Sequence, residues 1–219
     1  MLSDIGFHKK IGIIFSRPLA IMFFAIYLVQ SGILVYFVYE YYQQERTIAF
    51  QQRRIVELEE KLQILKIIED FQVGFSDTEV GKLTEVIYDE SERYGYDPRL
   101  LLAIILSESS MKKGQRSYMG AEGLMQMKPS VGSDLATRRG LNWKGELSLF
   151  EPDYNVQLGS LYLFELIMKF GDVKKAIIAY NLGETETRRR LLTQRELPTR
   201  YLARVMEVYQ DLREKYPDV

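Results

Sequence analysis

Residues 98–111 read PRLLLAIILSESSM and indicate the fold of the second half of the chain. Asp97, just before the proline, can cap a helix, and a proline in the first turn suits a helix start. Every position from Leu100 to Leu106 is apolar, which is typical of a helix buried at the centre of a domain. The last turn of this predicted helix carries one acidic residue, Glu108.

Two physical effects act on Glu108 at the end of a buried helix. Burial disfavours the charged carboxylate because the charge loses its hydration, and the negative end of the helix dipole disfavours it further. Both effects raise the pKa, so the functional interpretation is a protonated carboxylic acid near neutral pH, suited to general-acid catalysis. The structural alternative is a glutamate on a solvent-facing final turn.

The surrounding region, residues 76–219, is dense in helical signals and poor in the alternation typical of strands. Ser76 or Asp77 can cap a helix that runs through Glu90. We predict an all-α domain with about six to eight helices. Besides the two helices already described, the predicted stretches lie near 129–138, 153–169, 172–180 and 198–214.

Two further segments place polar groups beside turns. Residues 120–129 read GAEGLMQMKP, where glycines permit a tight turn or a close backbone approach to a ligand, and Gln126 could offer its amide to a sugar. Residues 179–183 read AYNLG, so Tyr180 and Asn181 stand at the end of an apolar helix with Gly183 as its C-cap. The structural alternatives are a glycine turn before a helix, and a core tyrosine with an asparagine cap.

Three motifs, in their order along the chain, resemble the catalytic domain of the soluble lytic transglycosylases. They are Glu-Ser at 108–109, Gly-Ala-x-Gly-Leu-Met-Gln at 120–126 and Ala-Tyr-Asn-x-Gly at 179–183. That domain has a lysozyme-like all-α fold, and the resemblance covers about residues 78–210. It also includes an asparagine and a glycine four residues apart, Asn155-x-x-x-Gly159.

Two positions depart from the family pattern. Lys128 stands where the family usually has an apolar residue before the proline, and Val131 stands near a usual threonine. Both changes are expected to alter contacts in the groove without removing a catalytic group.

The resemblance implies that the substrate is peptidoglycan and that Glu108 is the sole catalytic acid/base. Glu108 would protonate the glycosidic oxygen between N-acetylmuramic acid and N-acetylglucosamine, with help from the substrate's own N-acetyl group at C1. The carboxylate would then take the proton of the C6 hydroxyl, which closes a 1,6-anhydro ring without adding water. The implied substrate contacts are Ser109, Met125, Gln126, Tyr180 and Asn181. Of these, Tyr180 is also expected to touch Glu108, and Met125 suits a role in packing better than contact with the substrate.

Two other functions stay open at this point. A muramidase on the same fold would hydrolyse the bond and would need a second carboxylate across the sugar. The nearest candidates in sequence are Glu122, Asp134 and Asp153. The other alternative is a non-catalytic scaffold that binds peptidoglycan, against which an intact Glu108 argues.

Composition excludes several classes of site. The chain of 219 residues has no cysteine and one histidine, His8, so thiol nucleophiles, serine–histidine triads and paired-histidine metal sites cannot be built from it. The net charge of −1 argues against a nucleic-acid partner. No metal-ligand cluster is visible, and we expect no cofactor.

A membrane anchor is predicted near the start of the chain. Residues 18–39 carry no charge, and about 20 apolar residues span a bilayer as a helix. A buried core helix or a cleaved signal peptide is the alternative. Basic residues precede the span, so the positive-inside rule places residues 1–17 in the cytoplasm. The remainder would then lie outside the inner membrane, in the periplasm.

Residues 40–75 are predicted to form a helical stalk. Ile48, Ile55, Leu58, Leu62 and Leu65 fall on the a and d positions of a heptad, which would allow self-association of two chains through residues 40–72. An amphipathic helix lying on the globular domain explains the same pattern. The stalk could also tether the domain, residues 76–219, to envelope machinery.

Overall fold

A computed structural model describes residues 17–217, so most of the predicted cytoplasmic N-terminus, residues 1–16, lies outside the described part. Helices make up nearly all of the regular structure of this part, and the predicted all-α class is confirmed. The elements are α1 Arg17–Phe71, α2 Asp77–Tyr94, α3 Pro98–Ser109, α4 Pro129–Arg139, a short 3₁₀ helix Glu146–Phe150, α5 Pro152–Phe170, α6 Val173–Leu182, α7 Glu184–Leu192 and α8 Arg200–Lys215.

The chain divides into two compact units, Met1–Ile55 and Val56–Val219. Within residues 17–217, one helix, α1, contains a stretch long and apolar enough to cross a membrane, and none of that stretch is buried inside the protein. Its large apolar side chains are exposed from Leu19 to Tyr42. By length and composition this stretch corresponds to the span predicted at 18–39.

The second unit begins at Val56, not at residue 76 where the sequence places the start of the domain. The reason is the apolar face formed by Ile64, Ile67 and Ile68, which are all buried in the core of this unit. These residues are spaced i, i+3 and i+4, so they share one face of the helix. The end of α1 is therefore an amphipathic helix of the domain.

Helix α3 lies at the centre of the second unit, as its apolar sequence predicts. Asp97 caps it by accepting a hydrogen bond from the backbone N–H of Arg99 at 2.9 Å, and Pro98 occupies its first turn. The residues from Leu101 to Ile105 have no exposed surface. The helix packs against α2 and α8, while α5 packs against α2 and α6.

Five other predicted helices, α2, α4, α5, α6 and α8, are confirmed within a few residues, but α7 is not foreseen. Its sequence, ETETRRRLL, has no apolar stripe, and Thr187 is its one buried residue. Gly183 ends α6 as predicted and directly precedes α7, at a φ of 93° that favours glycine. Helix α7 is held by ion pairs along its own surface rather than by a buried face.

Candidate active site

A cleft of about 660 Å³ opens on the surface of the second unit. Its walls come from the last turn of α3, the loop and helix start at residues 117–131, the middle of α5, and the junction of α6 with α7. Several of its side chains carry chemistry relevant to a sugar: Glu108, Gln126, Tyr180, Asn181, Glu184 and Glu186.

Glu108 projects from the last turn of α3 and is half-buried. The hydroxyl of Tyr201, on α8, donates a hydrogen bond to its Oε1 at 2.5 Å. Burial raises the pKa of this carboxyl above its ordinary value. The Tyr201 hydrogen bond and the positive charge of Arg204 oppose the rise without cancelling it. The pKa of Glu108 is therefore shifted in the direction expected for a general acid at the end of a buried helix.

Asn155, fully buried on α5, fixes the glycine-containing loop beside the cleft. Its Nδ2 donates to the carbonyls of Glu122 and Leu149, both at 2.9 Å, and its Oδ1 accepts from the N–H of Met125 at 2.7 Å. A Cβ at Gly123 would lie 2.2 Å from Asn155 Nδ2, and the φ of this glycine is +77°. The loop can therefore approach Asn155 only with glycine at position 123.

Gly159, one turn further along α5, receives the side chain of Met125. A Cβ at Gly159 would lie 2.3 Å from Met125 Sδ and 2.8 Å from Met125 Cβ. Residues spaced i and i+4 share a helix face, so Asn155 and Gly159 together form the surface on which the loop packs. This is the structural role of the Asn155-x-x-x-Gly159 motif.

Tyr180 binds the same loop and not the acid. Its hydroxyl donates to the carbonyl of Met125 at 2.8 Å, whereas the hydrogen bond to Glu108 comes from Tyr201. The expected contact between Tyr180 and the Glu108 carboxyl is therefore corrected. Burial raises the pKa of Tyr180 well above its ordinary value, and the nearby charge of Glu108 adds to the rise. Tyr180 is therefore a neutral hydrogen-bond donor in the wall of the cleft.

The remaining residues expected to touch substrate fall into two groups. Gln126 and Asn181 line the cleft, and the amide nitrogen of Gln126 donates to the carbonyl of Gly123 at 2.8 Å. Ser109 and Met125 do not line it, because both side chains are buried. The Ser109 hydroxyl donates to the carbonyl of Ile105 at 3.1 Å, back along its own helix. Adjacent helix positions point about 100° apart, so Ser109 turns inward where Glu108 faces the cleft.

None of the three residues considered as a second carboxylate lines the cleft. Glu122 is fully buried, with the guanidinium of Arg116 at 2.8 Å from its Oε1. Asp134 pairs with Arg138 on the surface, and Asp153 borders a different cavity. Across residues 17–217, no group of three or more histidine, cysteine, aspartate or glutamate residues is arranged to hold a metal ion.

Two other carboxylates do line the cleft, Glu184 and Glu186. Burial alone would raise the pKa of Glu184, but Lys169 and Arg188 bring it below its ordinary value. Arg189 and Arg190 lower the pKa of Glu186 to about 2. Both groups are therefore charged at neutral pH.

Sequence reasoning does not place Tyr201 and Arg204 beside Glu108. Tyr201 lies 93 positions from Glu108 along the chain. The sequence around Tyr201 predicts a helix, but it does not indicate which tyrosine donates a hydrogen bond to the Glu108 carboxyl. The guanidinium of Arg204 lies over the ring of Tyr201, 5.3 Å from its centroid. The sequence indicates of both residues only that they lie in the first turns of an amphipathic helix.

Comparison with known proteins gives relatives of one kind. The chain is 32% identical over 102 residues to a transglycosylase of Enterobacteria phage PRD1, covering 47% of this chain and 35% of the relative. It is 45% identical over 74 residues to the endo-type membrane-bound lytic murein transglycosylase A of Klebsiella pneumoniae, covering 32% of this chain and 36% of that protein. The chain thus spans about a third of the length of these curated relatives.

The fold also has a counterpart among solved structures. The 70 kDa soluble lytic transglycosylase of Escherichia coli aligns with a TM-score of 0.54 at 20% identity, covering 61% of this chain and 24% of that one. At this identity the likeness concerns the fold alone. The family model described as the transglycosylase SLT domain matches residues 85–203, which is over half of the chain. The chain therefore belongs to the transglycosylase SLT domain family.

Proposed function

We propose that this protein is a peptidoglycan lytic transglycosylase that cleaves the β-1,4 bond between N-acetylmuramic acid and N-acetylglucosamine. The observation that carries the proposal is Glu108, a half-buried carboxyl with a raised pKa at the wall of the cleft. Family membership and relatives that are named lytic murein transglycosylases support it.

In the first step, the protonated Glu108 donates its proton to the glycosidic oxygen as the bond breaks. The substrate's N-acetyl group attacks C1 and takes up the developing positive charge. The carboxylate that remains keeps the hydrogen bond from Tyr201, and Arg204 adds a favourable charge. The same two groups that limit the rise in pKa therefore stabilise the anion formed in this step.

In the second step, the Glu108 carboxylate removes the proton from the C6 hydroxyl of the muramic acid. The C6 oxygen attacks C1 and displaces the N-acetyl group, which closes the 1,6-anhydro ring. The proton returns to Glu108, so the acid is ready for another cycle and no water is consumed. One residue acting as acid and then as base suffices for this route.

A muramidase remains the second candidate, because Glu184 and Glu186 line the same cleft as charged carboxylates. A hydrolase could use one of them to direct a water molecule to C1. Against this role, each carboxylate is engaged by two basic side chains, which lowers its basicity. A scaffold that binds peptidoglycan without cleaving it is the non-catalytic alternative.

Mass spectrometry of the muropeptides released from isolated sacculi by the full chain in detergent tests the proposal. We expect products lighter by one water, and a loss of rate of at least about a hundredfold in Glu108→Gln. Glu214→Gln is the matched control, because Glu214 is an exposed glutamate on α8 outside the cleft. Hydrated products would establish the muramidase, and bound but uncleaved sacculi would favour the scaffold.

We further propose that residues 18–39 are a single-pass anchor in the inner membrane, with residues 1–17 in the cytoplasm and the catalytic domain in the periplasm. The exposed apolar stretch of α1 and the relatives named membrane-bound support an anchor. The orientation places the cleft on the side where peptidoglycan lies. Protease added to intact spheroplasts should degrade the second unit, and its protection would contradict this topology.

Self-association through residues 40–72 and attachment to envelope machinery stay predictions. Ile48 and Ile55, two heptad positions of the first unit, are exposed and could pack against a second chain. Sedimentation of the full chain in detergent should give a dimer that Ile48→Glu with Ile55→Glu converts to a monomer. A parental monomer would discard the coiled coil.

A further inference from the structure

A second pocket, of about 340 Å³, adjoins the catalytic cleft. The two cavities share Asn181 and Leu182, so a ligand held in the cleft can extend into the pocket. The other residues that line the pocket are Ile178, Pro198, Arg200, Tyr201 and Arg204.

The pocket combines an apolar wall with two positive charges. Ile178, Leu182 and Pro198 supply the apolar surface. Arg200 and Arg204 stand one turn apart on α8, so their side chains share one face of the helix. This combination suits a ligand that carries aliphatic groups next to an anion.

Neither arginine has a carboxylate partner among residues 17–217, although most arginines of the second unit do. Like charges at i and i+4 destabilise a helix slightly, and the charge of Arg204 acts on the Glu108 carboxyl without an ion pair between them. Two guanidinium groups without an ion-pair partner, beside a cleft for a polysaccharide, therefore point to an anionic part of the ligand.

We infer that this pocket binds a carboxylate of the peptide attached to the N-acetylmuramic acid of the strand in the cleft. The inference rests on the proposed function, because it takes the occupant of the cleft to be peptidoglycan. The backbone sugars carry no charge, whereas the peptide carries both aliphatic groups and carboxylates. Since the peptide is covalently joined to the strand that is bound in the adjoining cleft, its local concentration at the pocket is high.

Arg204 links this pocket to the reacting groups. Its guanidinium lies over the ring of Tyr201, and the hydroxyl of Tyr201 holds the Glu108 carboxyl. A carboxylate bound to Arg204 therefore acts on the position of Tyr201 as well as on affinity. Arg200 has no such contact with Tyr201 among the aromatic contacts of the described residues, so its role is in binding alone.

The test compares two substrates: intact sacculi, and the same glycan strands after enzymatic removal of their peptides and amidation of the lactyl carboxyl that this removal frees. The full chain in detergent should cleave the peptide-bearing strands with the higher kcat/KM. Replacing both arginines by glutamine should reduce that preference about tenfold, the loss expected for one charge-assisted hydrogen bond. Arg200→Gln should raise KM only, whereas Arg204→Gln should also lower kcat.

Arg213→Gln is the matched control, because Arg213 also lies on α8 and stacks over a tyrosine, Tyr209, at 5.8 Å but does not line the pocket. It should keep the parental preference. An unchanged preference in the double variant, or an equal loss on both substrates, would overturn the inference.

A binding experiment tests this inference independently of the proposed catalytic function. The soluble stem tripeptide is titrated into Glu108→Gln, and inorganic phosphate is titrated in parallel. Saturable tripeptide binding that Arg200→Gln with Arg204→Gln abolishes supports the pocket, even if the parent cleaves neither substrate. No tripeptide binding, or binding of phosphate as tight as that of the tripeptide, overturns it.

Discussion

Replacing Asn155 tests how the glycine-containing loop is held beside Glu108. Its side chain serves three buried backbone groups: the N–H of Met125 and the carbonyls of Glu122 and Leu149. In Asn155→Ala the Met125 N–H and the Leu149 carbonyl lose their partner, whereas the Glu122 carbonyl keeps the hydrogen bond from the N–H of Met127 at 2.9 Å. Each buried polar group left unsatisfied costs about 1–3 kcal/mol. With two groups left unsatisfied, we expect a total loss of about 4 kcal/mol.

This loss should be visible in thermal unfolding. For a domain of this size, about 4 kcal/mol corresponds to a decrease in Tm of roughly 8–16 °C. The chain has one tryptophan, Trp143, which packs in the same apolar cluster as Leu149, so its fluorescence reports unfolding near the site. Asn142→Ala, at an exposed asparagine, is the control and should change Tm by no more than about 2 °C.

Asn155→Asp refines the test. An aspartate keeps the acceptor for the Met125 N–H but turns an oxygen toward the two carbonyls. Its burial would raise the pKa of the new carboxyl, so the variant should be most stable at low pH and lose stability as pH rises. A Tm for Asn155→Ala within about 2 °C of the parent would refute the role assigned to this residue.

Three further outcomes are expected. Tyr201→Phe removes a hydrogen bond that lowers the pKa of Glu108, so the basic limb of the kcat/KM–pH profile should move to higher pH; a profile that stays in place would separate Tyr201 from the acid. The raised pKa of Glu108 favours the folded state below its ordinary value of 4.5, and this contribution is lost as pH rises. The Tm of Glu108→Gln should therefore increase relative to the parent from about pH 4.5 upward, and a constant difference would contradict the raised pKa. Gly159→Ala brings a methyl group against Met125 and should cost about 1–3 kcal/mol in chemical denaturation, together with part of the turnover; a neutral effect would mean that the loop packs differently.

Local sequence determined what could be predicted of the fold. The cap at Asp97, the proline after it and the apolar run to Leu106 each depend on neighbouring residues, and together they locate α3 and its terminal acid. Helix α7 could not be foreseen in the same way, because its residues pair with one another and almost none is buried. Two apolar patterns overlap at the end of α1, so the sequence alone does not decide between a coiled coil and a helix that packs on the domain; the face that contains Ile67 is the buried one.

The candidate site, like the fold, could be predicted only in part from the sequence. The family motifs locate Glu108, Gln126, Tyr180 and Asn181, all of which line the cleft. They do not reveal which hydroxyl meets the acid, because that contact depends on how α8 packs against α3. A tertiary contact of this kind leaves no local pattern in a single sequence.

Cleavage of sacculi in water enriched with heavy oxygen tests the central claim most directly. Purified full chain is incubated with sacculi, and the reducing ends of the released muropeptides are examined by mass spectrometry. We expect anhydro products that carry no heavy oxygen, because the proposed mechanism uses the C6 hydroxyl of the substrate as the nucleophile. Incorporation of one heavy oxygen atom at C1 of the muramic acid would contradict this mechanism and identify water as the nucleophile.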